Sequence, residues 1–284
     1  DFYGAASEQV ILGNGSNELL KIIVNTFLDQ QDTLIYSQYA LSDYELASLA
    51  VTEVAIQVPA KQFGHDLAAM LHTLRTTPTA KLVLITNPNN PTGTLLTLEE
   101  IIAFIKEVPP QVLVVIDEAY IEFAAQHSSV SLIQEFDNLI VLRSFSKAYG
   151  LAALRIGYAM SGASIAKALN HTRQSFNTNT LAHAAAAAAI QDQRFITDYL
   201  DFNQEQKQTL YDGLDSLGVG YVKSHTNFVM VNVDNGMEIY QALVAQGVVI
   251  RPMASYGLPQ WIRVSVGLPE ENHRFLDTLA QVLA

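Results

Sequence analysis

Residues 81–120 read Lys81-Leu-Val-Leu-Ile-Thr86, Asn87-Pro-Asn-Asn-Pro-Thr-Gly93, Thr94-Leu-Leu-Thr97-Leu-Glu-Glu100-Ile-Ile-Ala-Phe-Ile-Lys-Glu107, Val108-Pro-Pro-Gln-Val112-Leu-Val-Val-Ile116 and Asp117-Glu-Ala-Tyr120. Two continuous apolar runs of strand length flank a stretch with helical periodicity. Thr97 and Glu100 have the spacing of a capping box, which places the helix over 97–107. Strands that are apolar at every position are covered on both faces. Two of them joined through a helix make a βαβ unit, the building block of a parallel sheet.

The pattern extends both ways along the chain. Val10-Ile11-Leu12 reads as a short strand entering Gly13-Asn14-Gly15-Ser16-Asn17-Glu18 and a helix through Phe27. Strands are expected at Thr33–Tyr36, Glu53–Val58, Leu139–Leu142 and Arg155–Met160, and helices at Asp43–Ala50 and His65–Thr76. The expected fold is therefore α/β, a large domain with a mostly parallel sheet between helices. The texture changes after about residue 190. A long polar helical stretch, Gln191–Leu217, reads as a bridge. Strand-like Asn227–Val233, a helix over Gly236–Gln246, strand-like Val248–Met253, strand Trp261–Val266 and a helix from Pro269 then make a small α+β unit. The division is expected near residue 200, with a large domain over 1–200 and a small C-terminal domain over 201–284.

Composition narrows the function class. The 284 residues are 49% hydrophobic and 15% charged. A chain of that length buries about 75% of its unfolded surface, and the apolar fraction excludes disorder. There is no cysteine, so a disulfide scaffold is excluded. The net charge of −12 argues against nucleic-acid binding. Leu181–Ile190, the longest nearly apolar run, is too short to span a bilayer. The opening Asp1-Phe-Tyr-Gly4 does not read as a signal peptide, and a soluble cytoplasmic protein is expected. None of the seven histidines forms an H-x-H or H-E-x-x-H pair, so no metal site is expected.

Polar residues gather where strands end, the place where open α/β sheets bind ligands. A strand, a glycine turn and a helix N-terminus at Gly15-Ser16-Asn17 favour a phosphate; a plain strand–helix junction uses the same residue types. Asp117 follows five apolar residues. It reads either as a helix N-cap or as a buried carboxylate needing a cationic partner, such as a heterocycle nitrogen, with Tyr120 nearby. Lys147 is set among small and aromatic residues in Ser144-Phe-Ser-Lys-Ala-Tyr-Gly-Leu151. It is a candidate for covalent attachment to a carbonyl, or a lysine that snorkels to water. Arg155, Arg251 and Arg263 are guanidinium candidates for phosphate or carboxylate. A phosphate loop, a carboxylate for a ring nitrogen, donors for a phenolate and an amine for an aldehyde together meet the needs of pyridoxal phosphate.

Asn87–Gly93, Asp117–Tyr120 and Ser144–Tyr158 resemble the motifs of the fold type I, aspartate-aminotransferase-like enzymes. More narrowly, Gly13-Asn-Gly-Ser-Asn-Glu-Leu-Leu20 and Arg251-Pro-Met-Ala-Ser-Tyr-Gly-Leu-Pro-Gln-Trp-Ile-Arg263-Val-Ser-Val-Gly-Leu-Pro-Glu-Glu-Asn272 resemble the histidinol-phosphate aminotransferase subgroup. The resemblance implies a pyridoxal phosphate cofactor linked to Lys147 as a Schiff base, with Lys147 then shuttling the substrate proton. It implies that Asp117 pairs with the ring nitrogen and that Asn90 and Tyr120 hydrogen-bond the ring hydroxyl. Gly15, Ser16, Asn17, Ser144, Ser146 and Arg155 would hold the phosphate. Asn90, Arg251 and Arg263 would bind substrate. The position of the residue that stacks on the ring falls near Leu41, with Tyr39 and Tyr44 beside it, and Tyr39 is named for the role. Histidinol phosphate and glutamate, with their keto partners, would react in ping-pong fashion in histidine biosynthesis. A homodimer is implied. The family's N-terminal arm, its tyrosine that reaches the neighbouring subunit's phosphate, and a helix between segments like 1–4 and 7–10 have no counterpart in this sequence.

Other readings share parts of this pattern. An aromatic-amino-acid aminotransferase or a phospho-amino-acid decarboxylase has the same fold and core motifs. A catalytically silent ligand sensor would not need Lys147, Asp117 and Arg263 together. A nicotinamide-dependent dehydrogenase would want a third glycine where Glu18 stands, and a strand-end acid at the usual spacing.

Overall fold

The strands of the sequence pattern assemble in a computed structural model that describes residues 2–40, 52 and 54–283. The expected helix over Asp43–Ala50 lies outside the described residues, as do Leu41 and Tyr44. The described chain divides into two units, Asp1–Asn90 with Leu95–Gln193, and Pro91–Thr94 with Arg194–Ala284.

The larger unit is built on a seven-stranded sheet of order β1-β7-β6-β5-β4-β2-β3. Its strands are β1 (Val10–Gly13), β2 (Thr33–Ser37), β3 (Val54–Val58), β4 (Ala80–Thr86), β5 (Leu113–Asp117), β6 (Leu139–Ser144) and β7 (Gly157–Ser161). β3, β2, β4, β5 and β6 run parallel; β7 is antiparallel to both β6 and β1. The middle strands have apolar centres because both faces are covered: Leu82 to Ile85 and Val114 to Ile116 have no exposed surface. Each such side chain contributes about 1.5–3 kcal/mol of hydrophobic burial. The helices are α1 (Ser16–Phe27), α2 (Leu67–Thr76), α3 (Leu98–Glu107), α4 (Ala163–Thr172) and α5 (Thr180–Ala189). α1 presents Leu19, Leu20, Ile22, Ile23 and Val24 to a core shared with Leu84, Val115, Ile140 and Leu142. The capping box before α3 is present. Thr97 Oγ1 accepts from Glu100 N at 3.2 Å, and Glu100 Oε2 accepts from Thr97 N at 2.8 Å.

The smaller unit holds α6 (Gln193–Ser216), α7 (Gly236–Ala245), α8 (Pro269–Leu283) and a four-stranded sheet of order β10-β11-β9-β8. These strands are β8 (Tyr221–Val222), β9 (Phe228–Asn232), β10 (Arg251–Pro252) and β11 (Trp261–Ser265). The helix expected as a bridge belongs to this unit from Arg194 onward. The reason is its inward stripe: Leu210, Tyr211 and Leu214 share a core with Val229, Val231, Ile262 and Phe275. The same four-residue-spaced stripe carries buried polar Asn203, Gln206 and Lys207. The strand expected over Val248–Met253 shrinks to two residues. Val248 N instead bonds Leu243 O at 2.9 Å and closes the end of α7.

Candidate active site

The parallel strands of the large sheet end on the same edge, and polar residues at and after the ends of β1, β4, β5 and β6 line one cavity there. The cavity has a volume of about 270 Å³, and its wall includes Ser16, Asn17, Asn90, Asp117, Tyr120, Ser144, Ser146, Lys147 and Arg155.

One end of the cavity is a glycine turn at a helix start. Gly15 has φ +82° and its N–H donates to Gly13 O at 2.8 Å. A side chain there would run into the guanidinium of Arg155. The first-turn N–H groups of α1 have no partner within the helix, and they carry the positive end of its dipole. Gly157 is fixed for a related reason: a Cβ would stand 2.8 Å from Ser16 N and 2.9 Å from Arg143 O. Arg155 was expected inside a strand. It sits instead in the left-handed region at φ 56°, just before β7, with Nη1 donating to Ala152 O at 3.0 Å.

The other end holds the carboxylate and the amine. Asp117 closes β5 and is 5% exposed. Its Oδ1 accepts from Ala119 N at 3.0 Å, closing a local turn, while its carbonyl accepts from Asn87 N at 2.9 Å. The helical turn that follows starts at Ile121 with Tyr120 as its N-cap, so Asp117 is a cavity carboxylate and not a helix N-cap. Lys147 Nζ lies 5.1 Å from the centre of the Tyr120 ring. Ser144 Oγ accepts from Ser146 N at 3.0 Å and shapes the turn before Lys147. Asn87 clips the loop that carries Asn90: its side chain accepts from Leu96 N at 2.8 Å and donates to Leu96 O at 3.0 Å.

Sequence reasoning missed three groups. Thr86, the last residue of β4, is part of the cavity wall. His65 stands behind it: Nε2 donates to Thr86 O at 2.8 Å, and burial lowers the imidazole's proton affinity. The signal for Thr86 was its place between an apolar run and Asn87. His65 had none, because its partner is 21 residues away. The third group is an ion cluster. Glu118 and Arg143 follow and precede the site residues Asp117 and Ser144, and both are almost fully buried. Arg143 Nε is 2.8 Å from Glu118 Oε2, an ion pair whose angle departs from hydrogen-bond geometry, and Nη1 is 3.2 Å from Glu122 Oε1.

Tyr39 is not among the residues that line this cavity. Its carbonyl accepts from Asn89 Nδ2 at 3.1 Å, and its ring is 6.1 Å from that of Phe63. Arg251 and Arg263 lie in the smaller unit, directly opposite each other on β10 and β11. The Arg263 guanidinium is 4.8 Å from the centre of the Phe228 ring.

The residues present fit pyridoxal phosphate. A turn without room for a side chain and an arginine suit the phosphate. A buried carboxylate suits a protonated ring nitrogen, and a lysine at the same wall suits an aldehyde.

Comparison with known proteins agrees. A family model described as aminotransferase class I and II matches residues 1–279. The histidinol-phosphate aminotransferase 1 of Psychrobacter arcticus is 47% identical, over 100% of this chain and 76% of the relative. The histidinol-phosphate aminotransferase 2 of Pasteurella multocida is 46% identical, over 99% of this chain and 78% of the relative. Among solved structures, a histidinol-phosphate aminotransferase from Sinorhizobium meliloti in complex with pyridoxal 5′-phosphate superposes with a TM-score of 0.93. It is 27% identical, over 99% of this chain and 78% of that one.

Proposed function

The chain belongs to the class I and II aminotransferases, and on that premise we propose that this pyridoxal-phosphate-dependent transaminase exchanges the amino group between histidinol phosphate and 2-oxoglutarate in the cytoplasm. When bound, the cofactor supplies an electron-accepting ring and an aldehyde carbon that takes up and hands on the amino group.

The chain's own residues take distinct parts. Gly15, Ser16, Asn17, Ser144, Ser146 and Arg155 hold the phosphate through backbone N–H groups, hydroxyls and a guanidinium. Asp117 keeps the proton on the ring nitrogen. Asn90 and Tyr120 donate to the ring hydroxyl. Lys147 would hold the aldehyde through its amine and, once freed by the substrate, would carry a proton to and from the substrate carbon that bears the amino group. Asn90, Arg251 and Arg263 bind the substrate. Arginines directly opposite on one face of an antiparallel pair repel each other, and an anion offsets that repulsion. Both partners bring one, a phosphate on histidinol phosphate and a carboxylate on glutamate.

The single observation that carries the reading is the meeting of Asp117, Tyr120, Lys147 and Arg155 on one wall. The 47% identity to a histidinol-phosphate aminotransferase supports the substrate. Steady-state transamination with 2-oxoglutarate as acceptor tests it. L-histidinol phosphate is expected to give a higher kcat/KM than phenylalanine or tyrosine; the reverse order would overturn the assignment. We propose a homodimer as well. Its support is the exposed apolar surface of the large unit, where Leu181 is 75% exposed and Phe176 fully so. Asn177, beside Phe176, bonds the carbonyl of exposed Leu12.

A further inference from the structure

Two site residues sit one step from a buried ion cluster. Asp117 ends β5 and Ser144 ends β6, and the strands are parallel neighbours. The next residue after Asp117 is Glu118, and the one before Ser144 is Arg143. Side chains alternate faces along an extended chain, so while Asp117 and Ser144 face the cavity, Glu118 and Arg143 turn away from it. There Arg143 makes a fork: Nε to Glu118 at 2.8 Å, Nη1 to Glu122 at 3.2 Å and Nη2 to Ser128 Oγ at 2.7 Å. The Tyr3 ring stacks 5.2 Å from the guanidinium carbon, and the Tyr3 hydroxyl accepts from Tyr158 at 2.9 Å. Glu118 also accepts from Ser129 N, and its own N–H donates to Leu142 O at 2.9 Å.

We propose that Glu118, Arg143 and Glu122 are positioning residues for the cofactor site, a buried fork that locks the ends of β5 and β6 and so fixes Asp117 relative to the Ser144–Lys147 turn. The inference rests on the proposed role of that site. Burial pushes Glu118 up and Glu122 up to about 7, so the cluster is costly to keep charged. Well-packed apolar replacement of such clusters is often neutral or stabilising. A purely structural role would therefore be served as well by leucine and methionine. A positioning role would not, because apolar side chains hold no fixed direction between two strand ends.

Two variants of the full chain separate these roles. The first is Glu118→Leu with Glu122→Leu and Arg143→Met; the second is Arg143→Lys, which keeps the charge and loses the fork. Folding is checked by circular dichroism. The readouts are the dissociation constant for pyridoxal phosphate and the pH midpoint of the visible absorption of the loaded protein. Each folded variant is expected to bind the cofactor about 10-fold or more weakly, the scale of a small misplacement, with a displaced midpoint. A folded variant that matches the parent in both would overturn the proposal. Should the triple variant not fold, Arg143→Lys alone decides by the same readouts. Failure of the parent to bind pyridoxal phosphate would instead overturn the functional reading, and this inference with it.

Discussion

Lys147 and Lys207 show what burial decides and what it does not. Lys207 is 4% exposed, its Nζ donates to Thr226 O at 3.2 Å, and burial pushes it down to about 8. Burial alone would choose it as the reactive amine. Lys147 is less buried, but it shares a wall with Asp117, Tyr120 and Arg155, and that company rather than burial marks it as the candidate amine. Lys147→Ala is expected to lower transamination by at least about 10²–10⁴-fold, the range for a lost acid–base group, with an unchanged circular dichroism spectrum. Turnover near the parent's would remove Lys147 from the mechanism. The sequence marked Lys147 through its small and aromatic neighbours. It placed Lys207 on a polar helix because composition does not say which polar residues of a helix turn inward. Glu122 gives a second prediction. Its folded value near 7 lies above the ordinary 4.5, so between those values the folded chain holds a proton that the unfolded chain has released. Stability therefore falls as pH rises from about 4.5 through about 7, by up to about 3 kcal/mol. In Glu122→Gln the melting temperature is expected to lose the Glu122 share of that slope, while Glu118, also pushed up by burial, keeps its own; a slope equal to the parent's would show that Glu122 is not a source of it.

Elements translate these residue properties into a site. β4, β5 and β6 were legible from sequence because each has an unbroken apolar run of four residues, Leu82–Ile85, Leu113–Ile116 and Leu139–Leu142, the pattern of a doubly covered strand. The capping box at Thr97 was legible for the same local reason, and Thr97→Ala is expected to cost about 1 kcal/mol in denaturant unfolding. Long-range pairing was not legible. Arg155 continues an apolar run in sequence, yet the chain turns left-handed there so that β7 can start at Gly157 against α1. The Arg143 fork joins residues from three segments, and no spacing announces it. Tyr39 was named for an aromatic on the ring; it does not line the cavity, and its ring lies 6.1 Å from that of Phe63. Gly15 carries the element-scale prediction. At φ +82°, with Arg155 in the way of a Cβ, Gly15→Ala adds backbone strain of about 1–3 kcal/mol and displaces the guanidinium. Titration of apoprotein with pyridoxal phosphate is expected to show markedly weaker binding; parent-like affinity would mean that this turn does not hold the phosphate.

The whole molecule divides at Gln193, a few residues before the point that composition suggested, because α6 contributes its apolar stripe to the smaller core. The loop Pro91–Thr94 joins that same unit, through His225 N donating to Gly93 O at 2.8 Å. No reading of local pattern reveals such a return. Among the described residues no helix is long and apolar enough to cross a membrane. A homodimer is expected to sediment with twice the chain mass of 31.2 kDa; a stable, active monomer in analytical ultracentrifugation would refute it. The most direct test of the chemistry is the visible absorption spectrum of the protein with pyridoxal phosphate as L-histidinol phosphate is titrated in. The expected result is the band of the lysine-linked cofactor, bleached at low substrate concentration as the amino group moves to the cofactor. A band that ignores histidinol phosphate would contradict the proposed substrate, and a protein that forms no band at all would contradict the role of Lys147.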